Sequence, residues 1–174
     1  AIVIADTNLS ESALAYLVKS GAANPLIVDA VSITKAVRIK PHLGYVHTLK
    51  ANLLEAEVLC GIKPSACGTY LEMAQWFHDS GVKRIFITLG PQGVFYSDAY
   101  DHGIVESRLK SPVINASGAG DAFVAAVAFA WFDEQEIKAT AEFAISAANV
   151  ALSHSATINP DMSVSTVNEI RSNE

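Results

Sequence analysis

The segment Gly118–Asp121 has the composition of an anion-binding turn followed by an acid. An apolar run starts almost directly after Asp121, so the order of residues predicts a glycine turn leading into the N-terminus of a buried helix. Helix N-termini carry unpaired N–H groups and partial positive charge, and glycine lets a phosphate approach the backbone closely. The segment therefore predicts an anion pocket with Asp121 beside it as a catalytic base.

A simpler interpretation of these residues stays open. Glycine-rich turns with an aspartate at a helix start are common as plain N-caps. The segment is not a Walker A loop, because no Gly-Lys-Ser/Thr follows it. Nor is it a dinucleotide fingerprint, since Phe123 stands where that pattern has its third glycine. Spacing alone is compatible with both a cap and a site.

A carboxylate beside a glycine-lined anion pocket suits transfer of a phosphoryl group to an alcohol. That reaction needs positive potential and in-line positioning more than covalent help. The N–H groups of Ala119, Gly120 and Asp121 would hold the developing charge, and the Asp121 carboxylate would deprotonate the hydroxyl. We expect Mg²⁺, held largely through water and phosphates. Glu55 is a candidate carboxylate near that ion, although its spacing alone favours a solvated helix face.

The elements that must position these residues alternate between strand and helix. Strands are predicted at 2–5, 26–28, 45–49, 84–89 and 94–97, and helices at 10–20, 33–37, 52–59, 68–80, 121–132, 136–153 and 163–172. This order predicts an α/β fold with a doubly wound, mostly parallel sheet and helices on both faces. The first strand is expected to be covered on both faces.

Polar residues follow the predicted strands in series. They are Asp6 and Asn8 after the first strand, Asp29 after the second, Lys50, Asn52 and Glu55 after the third, Thr88, Gly90 and Gly93 after the fourth, and Asp121 after the next turn. Ligands of such sheets bind beyond the carboxyl ends of the strands. We therefore expect these residues to share one edge of the sheet.

Composition excludes several classes of protein. The chain has 174 residues, of which 51% are hydrophobic and 17% charged, so a globular fold is expected. A net charge of −6 without a basic run argues against nucleic acid and anionic membranes as partners. Neither a membrane-spanning pattern nor a leader peptide is visible, so a cytoplasmic location is expected. Cys60 and Cys67 are expected to be free thiols.

Three motifs together resemble the ribokinase-like (PfkB) carbohydrate kinases. GAGDAF at 118–123 resembles the C-terminal signature of that family, KANLLEAEVLCG at 50–61 its Asn-x-x-Glu helix, and TLGPQG at 88–93 its nucleotide-side glycine turn. The combination in this order is more specific than any one motif, and the resemblance extends over essentially the whole chain. Segments 5–18 and 46–59 most resemble the pseudouridine kinases of that family.

The resemblance implies a three-layer α/β/α fold, ATP as phosphoryl donor and Mg²⁺. It implies that Asp121 is the base and that Gly118, Ala119 and Gly120 form part of the anion hole. It also implies that Asn52 and Glu55 lie near Mg²⁺ and phosphate, with Glu55 acting on the metal indirectly. By the same resemblance, Thr88, Gly90 and Gly93 lie along the nucleotide.

The chain departs from the family pattern at two places. Asn115-Ala116-Ser117 stands where many members have Asp-Thr and bind a monovalent cation, so the missing carboxylate argues against potassium activation. Ile145 aligns with a helix residue that is often Asn or His near the adenine, which implies apolar contacts there.

Kinases of this family are longer than the chain. Their N-terminal part supplies the sugar-binding carboxylate, a Gly-Gly turn and a β lid, so we interpret residues 1–174 as the C-terminal ATP-binding and catalytic portion of a single kinase domain. The N-terminal half is then an expected partner, and a homodimer stays open. Pseudouridine is the expected acceptor. Ribose, fructose or adenosine as acceptor, and a non-catalytic nucleotide-binding module, remain alternatives.

Overall fold

The computed structural model describes residues 1–20, 23–64, 69–107, 113–115 and 117–172. The chain divides into two compact units. Unit 1 comprises Ala1–Leu89 and Phe95–Gly103, and unit 2 comprises Gly90–Val94 and Ile104–Glu174.

Six strands form one sheet in the order β1-β2-β3-β4-β5-β6. They are β1 (Val3–Asp6), β2 (Leu26–Asp29), β3 (Thr48–Asn52), β4 (Arg84–Thr88), β5 (Val94–Ser97) and β6 (His102–Val105). Strands β1 to β4 run parallel. The short turn between the neighbours β4 and β5 can join only antiparallel strands, so the sheet is mixed. The predicted α/β fold is confirmed.

The helices lie close to the predicted ranges. They are α1 (Glu11–Ser20), α2 (Ile33–Ala36), α3 (Leu53–Cys60), α4 (Thr69–Asp79), α5 (Ala119–Phe132), α6 (Ile137–Leu152) and α7 (Val164–Ser172), with 3₁₀-helices at Val37–Tyr45 and Gly90–Gln92. The strand predicted at 45–49 is displaced to β3, because the 3₁₀-helix continues through Tyr45. Pro41 lies inside that helix and lacks the N–H of a regular α-helical turn.

The core of unit 1 is formed by side chains from both strands and helices. Fully buried examples are Leu14, Ile39, Leu49, Phe77 and Ile85. All four residues of β2 are buried, as expected for an inner parallel strand. The prediction that β1 is covered on both faces is wrong: Ile4 is 51% exposed, and β1 is the first strand in the sheet order.

Unit 2 is built around the packing of α5 against α6. The rings of Phe129 and Phe143 lie 5.3 Å apart between centroids. Alanines recur along α6, which is buried over most of its length and is therefore apolar on nearly every side. On α7, Arg171 Nη2 lies 3.0 Å from Glu142 Oε2 of α6. These contacts hold α6 as the central helix of the unit.

Some predictions concern residues at the limits of the described ranges. Cys60 is a half-buried free thiol, as expected, whereas Cys67 lies outside the described residues. Gly68, the first residue of the helix predicted at 68–80, also lies outside them. Within the described ranges, none of the helices combines the length and apolarity needed to cross a bilayer.

Candidate functional site

Strand register brings the predicted polar residues of unit 1 together. Asp6 lies opposite Asp29, and Asp29 lies opposite Lys50. Asn52 lies opposite Thr88. We call this set, with Glu55, the strand-end cluster: Asp6, Asp29, Lys50, Asn52, Glu55 and Thr88. Lys50 and Asn52 belong to β3 itself rather than to the loop after it, because the strand begins later than predicted.

An ion pair forms the centre of the strand-end cluster. Lys50 Nζ lies 3.0 Å from Asp29 Oδ1 and 3.2 Å from Oδ2, and both residues are buried. The Val31 N–H also donates to Asp29 Oδ1 (3.0 Å). Removing one member of a buried pair leaves the other charge without compensation. Asp29 therefore fixes the Lys50 ammonium at the end of the strands.

Asn52 and Glu55 form a reciprocal capping box at the start of α3. The Glu55 N–H donates to Asn52 Oδ1 (2.9 Å), while Glu55 Oε2 accepts from the Asn52 N–H (2.8 Å) and Oε1 from Asn52 Nδ2 (2.7 Å). This is the geometry expected of an Asn with Glu three residues later. The expectation of a solvated Glu55 is wrong, because the residue is only 1% exposed.

The electrostatics of Glu55 follow from that burial. Desolvation raises the pKa of the Glu55 carboxyl, and the nearby Asp29 acts in the same direction. The hydrogen bond from the Asn52 backbone and the charge of Lys50 oppose this change of the pKa. Both carboxylate oxygens already accept a hydrogen bond from Asn52. The expected indirect role of Glu55 toward a metal ion stays a prediction.

Val31 has a strained backbone conformation that the sequence does not predict. Its φ is 59°, in the left-handed region, although a β-branched side chain strongly disfavours that conformation. The strained residue directly follows Asp29 and Ala30, and its N–H is bound by the Asp29 carboxylate. Such strain is found preferentially at functional sites. A glycine would have signalled the turn, but none is present here.

Two basic side chains hold the loop that follows β1, and sequence reasoning missed both. Arg38 Nη1 donates to the carbonyls of Thr7 (3.0 Å), Asn8 (3.4 Å) and Leu9 (3.1 Å). Lys35 Nζ donates to Asn8 Oδ1 (2.6 Å). The loop beside the strand-end cluster is thus pinned by cations from α2 and the helix after it.

The turn Gly90–Gly93 in unit 2 requires glycine at its end. Gly93 has φ 110°, and a Cβ there would lie 2.0 Å from the Val105 carbonyl oxygen and 2.7 Å from the Ser107 nitrogen. Real Cβ atoms do not approach backbone so closely, so only glycine fits. Gly90 also has a positive φ of 61°, with open space around it. The turn therefore packs its backbone directly against residues 105–107.

Gly118 is the N-cap of α5 and is also surrounded by backbone. Its φ is 82°, and a Cβ would lie 2.2 Å from the Thr157 carbonyl oxygen. The first hydrogen bond of the helix runs from the Ala122 N–H to Gly118 O (2.9 Å), so the N–H groups of residues 119–121 have no partner within the helix. Asp121 lies exposed in this first turn. The predicted helix start is thus present, two residues earlier than expected.

The neutral amide of Asn115 makes two hydrogen bonds beside this turn. Its Nδ2 donates to the Ser155 carbonyl (2.9 Å), and its Oδ1 accepts from the Ser117 N–H (2.9 Å). The Ser155 carbonyl therefore accepts a hydrogen bond from a neutral amide. Ala116 lies outside the described residues, and the expected lack of potassium activation stays a prediction.

The residues fit phosphate groups better than a bare metal ion. In the described ranges, no group of three or more His, Cys, Asp or Glu side chains is arranged to hold a metal. At the start of α5, by contrast, the N–H groups of residues 119–121 have no partner within the helix, and Gly118 cannot be replaced by a larger residue. A helix start of this kind is suited to an anion. A magnesium ion here would depend on water and phosphate for most of its ligands.

Comparison with known proteins gives consistent matches. Residues 5–163 match the pfkB family of carbohydrate kinases. The chain is 40% identical to the pseudouridine kinase of Escherichia coli K12 over 166 residues, which are 95% of this chain and 53% of that protein. A Clostridium perfringens structure described as a candidate sugar kinase superposes with a TM-score of 0.93 at 31% identity, covering 98% of this chain and 54% of the other.

A further similarity concerns the fold alone. The ribokinase of Arabidopsis thaliana, solved with ribose and ATP, superposes with a TM-score of 0.86 at 21% identity, over 98% of this chain and 55% of that one. The chain therefore spans about half the length of the relatives it matches.

Proposed function

The chain belongs to the pfkB family of carbohydrate kinases, and from that premise we propose that the protein containing it transfers a phosphoryl group from ATP to a hydroxyl of a nucleoside or sugar. We propose pseudouridine, converted to its 5′-phosphate, as the acceptor; the 40% identity to the Escherichia coli pseudouridine kinase supports this choice. In this proposal residues 1–174 supply the ATP-binding and catalytic portion of a cytoplasmic kinase.

The start of α5 is the single observation that carries the proposal. Gly118 is held against the Thr157 carbonyl in a conformation and a space that no other residue fits. In this proposal the N–H groups that precede the first helical hydrogen bond hold the charge that develops on the transferred phosphoryl group; they have no partner within α5. Asp121, exposed in the same turn, would orient the acceptor hydroxyl and take its proton during attack.

The other predicted residues have supporting roles in the proposed reaction. Asn52 and Glu55 would act near Mg²⁺ and phosphate, and Thr88, Gly90 and Gly93 would line the nucleotide. When bound, Mg²⁺ neutralises phosphate charge and orients the transferred group. The buried Lys50, held by Asp29 at 3.0 Å, adds a fixed positive charge at the ends of the strands.

Replacing the proposed base tests the mechanism. Asp121→Asn in the full-length protein should lower kcat about 10²- to 10⁴-fold, because a neutral amide cannot accept the proton. The Kd for ATP should change little, since the backbone N–H groups remain. ADP release with pseudouridine and calorimetric titration of ATP measure the two effects. Asp133→Asn, at the other end of α5, is the matched control; unchanged turnover in Asp121→Asn would disprove the role of Asp121.

A panel of acceptors tests the substrate. We expect kcat/KM for pseudouridine to exceed the values for ribose, fructose and adenosine, measured by coupled ADP release with the same enzyme preparation. A higher value for one of the other three would replace pseudouridine but retain a kinase. Tight ATP binding with turnover of no acceptor would instead support the non-catalytic nucleotide-binding module.

A further inference from the structure

One buried amide in unit 2 lacks a hydrogen-bond partner, and we propose that it recognises the base of the bound nucleotide. Asn149, on α6, is only 2% exposed. Its Oδ1 accepts a hydrogen bond from Ser107 Oγ (3.2 Å). Its Nδ2 has no partner among the residues that the structure describes. The inference rests on the proposed function, because it requires a nucleotide.

The unpartnered amide distinguishes Asn149 from the other buried polar side chains of its helix. Thr140 Oγ1 donates to the Glu136 carbonyl (3.0 Å), and Ser146 Oγ donates to the Glu142 carbonyl (2.8 Å). Those hydroxyls are satisfied by the preceding turn of α6 itself. Folded proteins satisfy nearly all buried polar groups, so a donor without a partner among the described residues is a place where a ligand could supply the acceptor.

The surroundings of Asn149 connect it to the turn where the proposal puts the nucleotide. Ser107, which binds Asn149, follows β6 and lies against Gly93: a Cβ on Gly93 would be 2.7 Å from the Ser107 nitrogen. The glycine turn, Ser107 and Asn149 are therefore successive neighbours within unit 2. The Ser107 hydroxyl occupies one end of the amide and thereby fixes its plane.

Chemistry identifies the part of the nucleotide that Asn149 would contact. An amide N–H needs an acceptor, and the ring nitrogens of adenine are acceptors. The proposed function assigns the phosphates to the N–H groups at the start of α5, and we assign the base to the amide. Ile145 lies one helical turn before Asn149 on the same side of α6 and adds apolar surface. Asn149 Nδ2 is thus assigned as a donor to one ring nitrogen of adenine.

Calorimetric titration of the full-length protein with ATP and with 1-, 3- and 7-deaza-ATP tests the assignment, because each analogue replaces one ring nitrogen by C–H. One analogue should bind the wild type about 3- to 10-fold more weakly than ATP, the usual effect of one neutral hydrogen bond. Asn149→Leu, of similar volume, should weaken ATP binding by the same factor and abolish the difference between ATP and that analogue. Thr140→Val, on the same helix, should preserve it.

The results that would contradict the role of Asn149 differ from those that would contradict the proposed function. Equal binding of ATP and all three analogues by the wild type, or unchanged ATP affinity in Asn149→Leu, would overturn the role of Asn149 and leave the proposed function intact. Failure of the wild type to bind ATP would overturn both. If Asn149→Leu does not fold, Asn149→Ala is measured in its place against the same expectations.

Discussion

At the residue scale, the Asn52–Glu55 pair joins an observed structural role to a proposed chemical one. The carboxylate closes the start of α3 with two hydrogen bonds and is almost completely buried. Because the charges of Lys50 and Asp29 act on the Glu55 carboxyl, the ionisation of Glu55 is coupled to the strand-end cluster. A change in the protonation of Glu55 should therefore change the free energy of unfolding.

The raised pKa of Glu55 gives a pH-dependent prediction. A carboxyl whose pKa is higher in the folded than in the unfolded state contributes stability that is fully present below the unfolded pKa and is lost as the pH rises through the folded pKa. We therefore compare the free energy of unfolding of the wild type with that of Glu55→Gln. The wild-type value minus the variant value should fall as the pH rises, starting at the ordinary carboxyl pKa and continuing above it. Urea denaturation at several pH values measures this difference; a difference that rises with pH would contradict it.

Some of these structural features could be predicted from the sequence and others could not, for physical reasons. The Asn-x-x-Glu spacing is itself a capping signal, so the pairing of Asn52 with Glu55 is recoverable from sequence. The left-handed Val31 carries no such signal, because a β-branched residue disfavours this conformation and its N–H is bound by the Asp29 carboxylate. The contacts of Arg38 likewise depend on a loop that lies 29 to 31 residues away in the chain.

At the element scale, the start of α5 depends on a contact with a distant loop. Gly118 →Ala would combine an unfavourable φ with a Cβ only 2.2 Å from the Thr157 oxygen. We expect it to lower the free energy of unfolding by about 2–4 kcal/mol, since the left-handed backbone alone costs about 1–2 kcal/mol. ATP affinity should fall as well, because the helix start must move. Chemical denaturation and calorimetry measure both.

A second glycine separates the two contributions. Gly61, the C-cap of α3, has nearly the same φ of 78° but no atom within 4 Å of the added Cβ. Gly61→Ala should therefore show the cost of the backbone alone. If the two variants lose the same stability, the contact with Thr157 does not constrain the start of α5.

Two elements differ from the sequence prediction because tertiary context overrides local pattern. The strand β6 escaped prediction, since its His102-Gly103-Ile104-Val105 sequence is short and alternates between exposed and half-buried positions. The strand β3 was displaced by a 3₁₀-helix that contains a proline. In contrast, the long apolar helices α5 and α6 were predicted within two residues at each end, because their composition alone requires burial.

At the scale of the whole molecule, the alternation of strands and helices was sufficient to predict the fold class. The division into two units was not predicted, because it runs through β5 and β6 and leaves no linker in the sequence. Patterns of proline, glycine and charge identify flexible linkers between domains. A boundary that lies inside paired strands leaves no such pattern in the sequence.

The exposed edge strand leads to a prediction for the isolated chain. Residues 1–174 produced alone should self-associate, because β1 offers unpaired backbone and Ile4 is 51% exposed. Ile4→Lys should shift the sedimentation profile toward the monomer. Ile104→Lys, at an equally exposed position on β6, is the matched control. A monomeric wild-type chain would disprove the expectation, and an equal effect of both substitutions would mean that the contact surface is not confined to β1, since β6 is the other edge of the sheet.

The contact between Gly118 and Thr157 also has a consequence for the order of folding. The turn that starts α5 is closed by a loop that follows α6, so the two segments meet only across a long stretch of chain. Contacts of this kind form late, because the entropy of closing the loop must first be offset by the docking of the intervening helices. A nascent chain can therefore acquire α5 as a helix well before it acquires the helix start that we propose binds phosphate. In that proposal, phosphate affinity is a property of the completed fold rather than of the motif.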